Sequence, residues 1–476
     1  MNEHPMHDSD LDLVLRGGTV VTAEGQQPAD VGVRDGRVAV IRDRGGGDPA
    51  LPAGRREIDA TGRLLLPGGI DPHVHLHTEG VDPGEPIWVD DYASGSEAAL
   101  AGGVTSLGNM SFILPWESIA DRVAAERSVV ERTAIADVFF HTIVLSPTAA
   151  LVEEVPSAVR GGQPSMKVFM CLPTFDANVP QFARVMKAAG DAGGITLVHC
   201  EDLATIECCT TMLTDAARGD LTHFAESRPV EAETVATDRA LAMCRATRAP
   251  TYIVHLSSAR ALAACAAARA EGLPVFVETR PLYLHMTSER YHEPEGPLYV
   301  AQPPLREAAD REALWRGLVD GSIDTIASDH APWTRELKLD PKLNVAHCRS
   351  GVAELDTMLP LLYTEGVLTG RLTPERFVAL TSTNAARLFG MYPRKGTIAV
   401  GSDADIAVWE TRERRIIRDA DLFSRAGHSV YAGRELRAWP YATLRRGELV
   451  FENGKMLGRP GSGRAIERGA TAPPVA

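Results

Sequence analysis

Hydrophobic and polar positions follow two different patterns along the chain. In the central part, eight short apolar runs alternate with segments in which small and apolar residues recur at helical spacing, for example 180–193 and 257–272. This strand–helix alternation predicts a (β/α)8 barrel over residues 67–392. The apolar runs are RLLLPGGIDPHVHL (63–76), GVTSLGNMS (103–111), ADVFFHTIVL (136–145), SMKVFMCL (165–172), GITLVHCED (194–202), PTYIVHLSS (250–258), LPVFVETRPL (273–282) and DTIASDHAP (324–332).

The two ends of the chain share the second pattern. Residues 9–66 alternate apolar residues with polar and glycine breaks, and residues 393–460 repeat that style in KGTIAVGSDADIAVWE and LRRGELVFENGKML. Such alternation is typical of short antiparallel strands and hairpins. We therefore expect the two ends to pair as one small β-sandwich domain. A C-terminal tail (461–476) follows, and its last residues, RGATAPPVA, are expected to be disordered.

Composition narrows the possible partners. The 476 residues carry a net charge of -14, which argues against nucleic acid and anionic membrane surfaces. No apolar run is long enough to span a membrane, and the polar start MNEHPMHDSD is unlike a signal peptide. The cysteine count of 7 is odd and none forms a CxxC pair, which favours reduced thiols and a cytoplasmic location.

Polar residues capable of metal binding cluster at the ends of the predicted barrel strands, where the functional groups of such barrels lie. Each one alone has an ordinary explanation as a polar cap, but their convergence indicates a site. Imidazole and carboxylate groups together suit a divalent transition metal, most readily zinc. The residues, from the first, fourth, fifth, sixth and eighth runs, are His73, His75, Lys167, His199, His255 and Asp329.

Lys167 stands apart in this set, because an ammonium group repels metal ions. It is a neutral amine, a salt-bridge residue or a modified side chain. Reaction of the amine with CO2 would give a carboxylate-like anion able to bridge two metals. The spacing of the residues does not decide among these three.

Five of these segments, in order, carry a resemblance to a known family. GGIDPHVHL, SMKVFM, LVHCED, YIVHLSS and IASDHAP resemble the motif series of the amidohydrolase superfamily, specifically the cyclic amidohydrolases. That group contains dihydropyrimidinase, hydantoinase, allantoinase and dihydroorotase. The likeness spans about residues 10–460, with GSDADIAVWE and GRPGSGRAIER fitting the small domain and the C-terminal signature.

The resemblance implies two divalent metal ions, most readily Zn2+, and a small cyclic amide as substrate. A hydroxide bridging the two ions would open the ring, with Asp329 moving the proton to the leaving nitrogen. Members of the group are commonly dimers or tetramers, so a homodimer or homotetramer is implied. The ligand set would be His73 and His75 on the more buried ion, N6-carboxylated Lys167 as the bridge, His199 and His255 on the second ion, and Asp329 completing the first.

Three candidate substrate-binding positions depart from the hydantoinase pattern. Leu172 stands where a tyrosine commonly supports the substrate and the developing oxyanion, and it cannot supply a phenol. Gln302, before the PP pair, replaces the usual serine. His347, in NVAHCRSG, replaces an asparagine.

Three further candidates bear on the choice of subfamily. His77 stands where dihydroorotases carry a carboxylate-binding arginine, while Asn109 in LGNMSFILP leans towards allantoinase and dihydroorotase. Arg280 replaces the common cysteine of ETCPHYL. It either binds an anionic substrate at the barrel mouth or forms a salt bridge with a neighbour such as Glu278.

Hydrolysis of a hydantoin-like or dihydropyrimidine-like cyclic amide is the function that this sequence favours. The alternative within enzymes is an allantoinase-like or dihydroorotase-like ring amide hydrolase. A non-enzymatic scaffold is disfavoured, because all six candidate metal ligands are present.

Overall fold

The computed structural model describes residues 11–45, 50–77, 88–114 and 117–475. The polar amino terminus therefore lies outside the described residues. The strands are β1 (Leu13–Thr22), β2 (Gly25–Arg34), β3 (Arg37–Asp43), β4 (Arg56–Asp59), β5 (Leu64–Pro67), β6 (Gly69–Val74), β7 (Val104–Phe112), β8 (Asp137–Ile143), β9 (Ser165–Phe169), β10 (Ile195–His199), β11 (Thr251–Ile253), β12 (Val275–Thr279), β13 (Thr325–Ile326), β14 (Ile406–Glu410), β15 (Arg415–Ile416), β16 (Glu435–Leu436), β17 (Trp439–Arg445), β18 (Glu448–Glu452) and β19 (Lys455–Met456).

Helices fill most of the connections between the barrel strands. Many begin at a residue whose side chain accepts a hydrogen bond from the first turn, as Ser118, Thr148 and Ser258 do. The α-helices are α1 (Tyr92–Ala101), α2 (Ile119–Thr133), α3 (Ala149–Arg160), α4 (Pro173–Ala177), α5 (Val179–Asp191), α6 (Leu203–Asp215), α7 (Phe224–Ser227), α8 (Val230–Thr247), α9 (Ala259–Ala270), α10 (Pro281–His285), α11 (Ala308–Asp320), α12 (Arg335–Lys338), α13 (Met358–Leu362), α14 (Pro374–Val378) and α15 (Asn384–Leu388).

Strands β6 to β13 form an eight-stranded sheet in sequential order, and each neighbouring pair is parallel. A parallel bridge between Val74 and His330 joins the first strand to the residues that follow the last one. Seven of these strands fall within the predicted apolar runs and β7 extends one residue past its run, to Phe112, so the predicted barrel is confirmed. Apolar side chains from the strands and from the segment after α14 fill its interior, with the Phe389 ring 5.3 Å from that of Tyr252.

Strands from both ends of the chain form the second sheet. Its order is β19-β18-β17-β14-β5-β1-β2-β3, with β4 paired to β1. Strand β5 pairs with β14 through partners such as Leu65 and Val408, which joins the two ends directly. The predicted pairing of the ends is confirmed, whereas the exact domain boundaries stay a prediction. Among the described residues, no helix is long and apolar enough to cross a membrane.

The segment after residue 460 packs against the barrel, so the expected disorder is wrong for the residues through 475. Ile466 N donates to the Val138 carbonyl at 2.7 Å, and Ala465 pairs in parallel with Val138 near the start of β8. The Arg468 side chain is buried. Its guanidinium lies over the Phe139 ring and donates to Ser165 Oγ at 2.9 Å and to the Phe140 carbonyl at 2.6 Å. The sequence alone, rich in alanine and proline, gives no periodic signal for these contacts.

Arg468→Ala should destabilise the barrel while leaving the site at its other end intact. The substitution removes two charge-assisted hydrogen bonds and a ring contact, a loss of about 2–5 kcal/mol in the free energy of unfolding. Denaturant unfolding measures this, with the exposed Arg459→Ala as the matched control. Equal stability of the two variants would contradict the packing described for the tail.

Candidate metal centre

The side chains of His73, His75 and Asp329 meet at the end of the barrel where the strands finish. Asp329 Oδ1 lies 3.4 Å from His73 Nε2 and 3.2 Å from His75 Nε2. Across the described ranges, these three form a group of ligand atoms within 4.8 Å of one another that could hold a metal ion. Burial lowers the pKa of both imidazoles, which favours the neutral form that binds metals.

Glu278, at the end of β12, orients the His73 ring. Its Oε1 lies 2.9 Å from His73 Nδ1 and also accepts the backbone N–H of His255 at 2.9 Å, while Oε2 accepts the Tyr252 hydroxyl at 2.8 Å. With Nδ1 turned to this carboxylate, Nε2 of His73 faces Asp329 and has no hydrogen-bond partner. A carboxylate behind a ligand imidazole is a common device for fixing its tautomer at metal sites.

Lys167 points into the same region from β9. Its side chain is fully buried and Nζ has no hydrogen-bond partner among the described residues, although it lies 4.9 Å from the centre of the Phe169 ring. Burial is the main cause that lowers the pKa of this amine to about 8. A buried amine without a carboxylate partner is the form that the modified-lysine hypothesis requires.

His199 and His255 lie side by side, with His199 Nδ1 2.9 Å from His255 Nε2. The other nitrogen of His199 contacts Glu201 at 2.9 Å, and Glu201 is in turn paired with Arg228 at 2.6 Å. Although burial alone would lower it, Cys171 and Glu201 raise the pKa of His199 to about 9. As a metal ligand His199 must release that proton, and metal binding is generally coupled to such release.

Two of the predicted ligands have a left-handed backbone, which is uncommon for residues other than glycine. His255 has φ 37° and Asp329 has φ 47°. Such conformations carry a cost of roughly 1–3 kcal/mol each and concentrate at functional sites. Here both residues lie shortly after the last residues of β11 and β13, at the end of the barrel where the strands finish.

A cavity of about 380 Å³ opens above these residues, and His75, His199, His255 and Asp329 lie in its floor. Its walls are mostly apolar and aromatic, as is usual for sites that bind small molecules. The Trp88 ring lies 4.8 Å from that of His75. The wall residues are Trp88, Phe112, Leu145, Phe169, Cys171, Leu172, Gln302, Ala331, Trp333, Cys348, Ser350 and Gly351.

The structure places two of the six predicted substrate-binding residues, Leu172 and Gln302, on this wall. Gln302 Nε2 has a weak contact to Cys348 Sγ at 3.9 Å, so the amide is available to a ligand. His77 is half-buried beside the start of α1, where its N–H donates to the Asp90 carbonyl at 2.8 Å. His347 is exposed on the loop beyond the wall.

The other two residues are committed to protein contacts. Asn109 is buried, where its Oδ1 accepts from Leu76 N at 2.9 Å and its amide donates to the Tyr92 hydroxyl at 2.8 Å. Arg280 is fully buried and pairs with two carboxylates, Asp329 and Glu354. The salt-bridge alternative therefore describes Arg280, with different partners from the Glu278 suggested by the sequence.

Sequence reasoning missed Glu278 as the partner of His73, and it missed the aromatic walls. Glu278 and Arg280 alternate on one face of the seventh run, and an acid on an inward-facing strand position is a signal that could have been used. Phe169 and Cys171 follow Lys167 at the same alternation. Trp88 and Trp333 lie outside the strands and helices, where no periodicity marks them.

The barrel and its cluster of potential metal ligands agree with one protein family. The model of the amidohydrolase family matches residues 64–450, so the chain belongs to that family. The predicted relationship to the cyclic amidohydrolase group is confirmed by the relatives and solved structures that the chain matches.

The relatives match over nearly the full length. D-phenylhydantoinase of Escherichia coli (strain SE11) is 34% identical over 467 residues, covering 97% of this chain and 99% of the relative. The D-hydantoinase structure from Bacillus sp. AR9 has a TM-score of 0.90 and 34% identity, covering 96% of this chain and 99% of that one. The dihydropyrimidinase structure from Brevibacillus agri NCHU1002 has a TM-score of 0.88 and 33% identity, covering 97% and 99%.

Lys338 fastens one side of the cavity. Its buried ammonium donates to three carbonyls, at 2.7 Å to Val300, 2.9 Å to Arg349 and 2.8 Å to Gly351. Gly351 lies in the cavity wall, and Val300 precedes the wall residue Gln302 by two positions. One side chain thus ties together two loops that shape the cavity.

Lys338→Met should loosen this wall. Three carbonyls lose their donor, which should cost about 2–4 kcal/mol in the free energy of unfolding. A wall that holds substrate less tightly raises KM more than it lowers kcat, by about tenfold for each 1.4 kcal/mol of lost binding. Steady-state kinetics and unfolding measure the two effects, with the exposed Lys342→Met as control. A KM equal to that of the control would show that the hydrogen bonds of Lys338 do not shape the substrate site.

Proposed function

We propose that this protein hydrolyses the ring amide of uncharged cyclic amides of the hydantoin or dihydropyrimidine kind. The observation that carries the proposal is the convergence of four imidazoles, one carboxylate and one buried amine beneath a mostly apolar cavity. The names of the relatives, D-phenylhydantoinase, D-hydantoinase and dihydropyrimidinase, point to the same substrate class.

The donor set fits a pair of divalent ions, most readily zinc. His73, His75 and Asp329 would hold one ion, and His199 and His255 the other, with a carboxylated Lys167 between them. His73 Nε2 and Lys167 Nζ have no hydrogen-bond partner among the described residues, which supports this assignment, because buried polar atoms rarely lack a partner. When bound, such a pair supplies a nucleophile near neutral pH and polarises the amide carbonyl.

Lys167 reaches its bridging form by addition of CO2 to the neutral amine. The nitrogen lone pair forms a bond to the carbon of CO2, one C=O π bond becomes a lone pair on oxygen, and the proton released from the nitrogen passes to solvent. The buried setting favours the neutral amine that this step needs, because it lowers the pKa to about 8. The product is an anion, which replaces a cation that would repel divalent ions.

Asp329 is suited to move the proton from the nucleophile to the leaving ring nitrogen. Burial alone would raise the pKa of its carboxyl, but Arg280 and the imidazoles of His73 and His75 outweigh that effect and hold the pKa well below its usual range. At neutral pH the group is therefore a carboxylate, ready to accept a proton. Its Oδ1 faces the imidazoles, and the residue lies in the cavity floor.

The cavity walls favour an uncharged ring. No lysine or arginine occurs among the described residues that line it, so a substrate carboxylate would lack a cationic partner there. This disfavours the dihydroorotase-like alternative. The Gln302 amide offers N–H donors and a C=O acceptor, which match the C=O and N–H of a cyclic amide. With Leu172 in place of a phenol, stabilisation of the developing oxyanion falls to the metal pair or to another donor.

Assembly and location are part of the proposal only as predictions from sequence. A homodimer or homotetramer in the cytoplasm is what the family resemblance and the composition imply.

Ring opening and metal content together test the proposal. The purified protein should contain about two divalent ions per chain and should open hydantoin, dihydrouracil or a 5-substituted relative, with activity lost on chelation and regained with Zn2+. Absorbance loss on a panel that includes allantoin and dihydroorotate measures turnover, and elemental analysis measures metal. Bound metal with no ring opened across the panel would favour a non-enzymatic scaffold.

Lys167→Ala should lose turnover by at least about a thousandfold and lower the metal content, because the bridging anion is gone. Added acetate or propionate should restore part of the activity by entering the space left by the side chain. The exposed Lys187→Ala serves as the matched control. Undiminished turnover and metal content in Lys167→Ala would refute the bridging role.

A further inference from the structure

Arg280 joins the proposed acid–base carboxylate to a second buried acid. Its Nη1 donates to Asp329 Oδ2 at 2.7 Å, while Nε and Nη2 donate to Glu354 Oε2 at 3.0 and 2.7 Å. Both Arg280 and Glu354 have fully buried side chains. A guanidinium is well suited to this geometry, because its donors are arranged in a rigid plane.

The two oxygens of Asp329 therefore have different surroundings. Oδ1 faces His73 and His75 at 3.4 and 3.2 Å, whereas Oδ2 is held by Arg280 on the opposite side. Rotation of the carboxylate about its last bond would break the bond to Arg280. The guanidinium thus opposes any change in the direction of Oδ1.

The guanidinium is itself held in place. Glu354 Oε1 accepts the Tyr431 hydroxyl at 2.5 Å, and the backbone N–H of Glu354 donates to His330 Nδ1 at 3.2 Å. His330 directly follows Asp329 in the chain. Arg280 is therefore linked twice to the turn at residues 329–330, directly through Asp329 and indirectly through Glu354 and His330.

We propose that Arg280 is a positioning residue for Asp329. It holds Oδ2 so that Oδ1 alone is presented to the imidazoles and the cavity, and Glu354 with Tyr431 keeps the guanidinium in register. This inference rests on the proposed function, in which Asp329 carries the proton. Arg280 does not touch the substrate, because it is fully buried behind the cavity floor.

The test uses a variant that preserves the charge balance of the buried site. Arg280→Met alone would leave two carboxylates without a cation, a costly arrangement. Arg280→Met/Glu354→Gln removes one positive and one negative charge and leaves Tyr431 an acceptor. Its kcat should fall about a hundredfold, the scale of a misplaced catalytic group, with KM within about threefold of wild type and metal content retained.

Three further variants separate positioning from mere structural support. Arg280→Lys keeps a single cationic donor and should recover part of the lost kcat. Arg445→Met removes another buried guanidinium, one that lies in the second sheet and donates to the Ile135 carbonyl, and should lower the melting temperature with kcat unchanged. Adding the double change to Asp329→Asn should cause no further loss of kcat, because a residue that acts only through Asp329 has nothing left to position.

The outcomes are distinct. A double variant with wild-type kcat and a lowered melting temperature would overturn the proposal and leave Arg280 a structural ion pair. A raised KM at unchanged kcat would instead assign it to substrate binding. If the double variant does not fold, Tyr431→Phe carries the test, with a several-fold loss of kcat expected and wild-type kcat contradicting it. A wild-type protein that binds metal and opens no cyclic amide refutes the proposed function, not the geometry of Arg280.

Discussion

The candidate site depends on the contact that closes the barrel. His75 N donates to the His330 carbonyl at 2.8 Å, and Asp71 accepts the N–H groups of both His73 and Ser328 at 3.1 Å. These bonds hold the end of the first strand beside the turn after the last. His73 and His75 come from one end of the barrel sequence and Asp329 from the other, so their meeting requires all eight strands to be in register. The side chains of the candidate site therefore come together only when the barrel is closed.

Burial of charge is the second constraint, and it is met by pairing. Glu201 lies against His199 and Arg228, and Glu354 lies against Arg280. Glu278 differs, because its neighbour His73 is neutral: burial raises the pKa of its carboxyl to about 8, and its oxygens accept from His255 N and the Tyr252 hydroxyl. An unpaired ion in such surroundings would cost several kcal/mol, so a buried acid and a buried base each depend on the other. Lys167 differs from these acids, since its amine has no hydrogen-bond partner among the described residues. Under the proposed function, the anionic carboxylated form of Lys167 would be paired with the divalent ions that it helps to hold.

The sequence predicts most of the fold and the types of residue that could bind metal, but it predicts few of the side-chain contacts around them. The eight apolar runs and the histidine positions could be read because strand periodicity and motif order are local properties. The partners of Arg280 could not, because Asp329 and Glu354 reach it through turns whose geometry no local pattern encodes. Asn109, a predicted substrate residue, makes hydrogen bonds with Leu76 and Tyr92 that no local pattern predicts. The same holds for the tail, since Arg468 contacts barrel residues that are distant in the sequence.

The pairing of β5 with β14 has a consequence for how the protein is made. During synthesis the amino-terminal strands leave the ribosome first, but their neighbour β14 begins at Ile406 and the sheet is complete only after Met456 has emerged. Until β14 has emerged, β5 presents an unpaired edge, the kind of surface that pairs with strands of other chains. Nascent chains that end before residue 406 would therefore expose the side of β5 that β14 covers in the finished sheet, and chaperone dependence should fall once β14 has emerged.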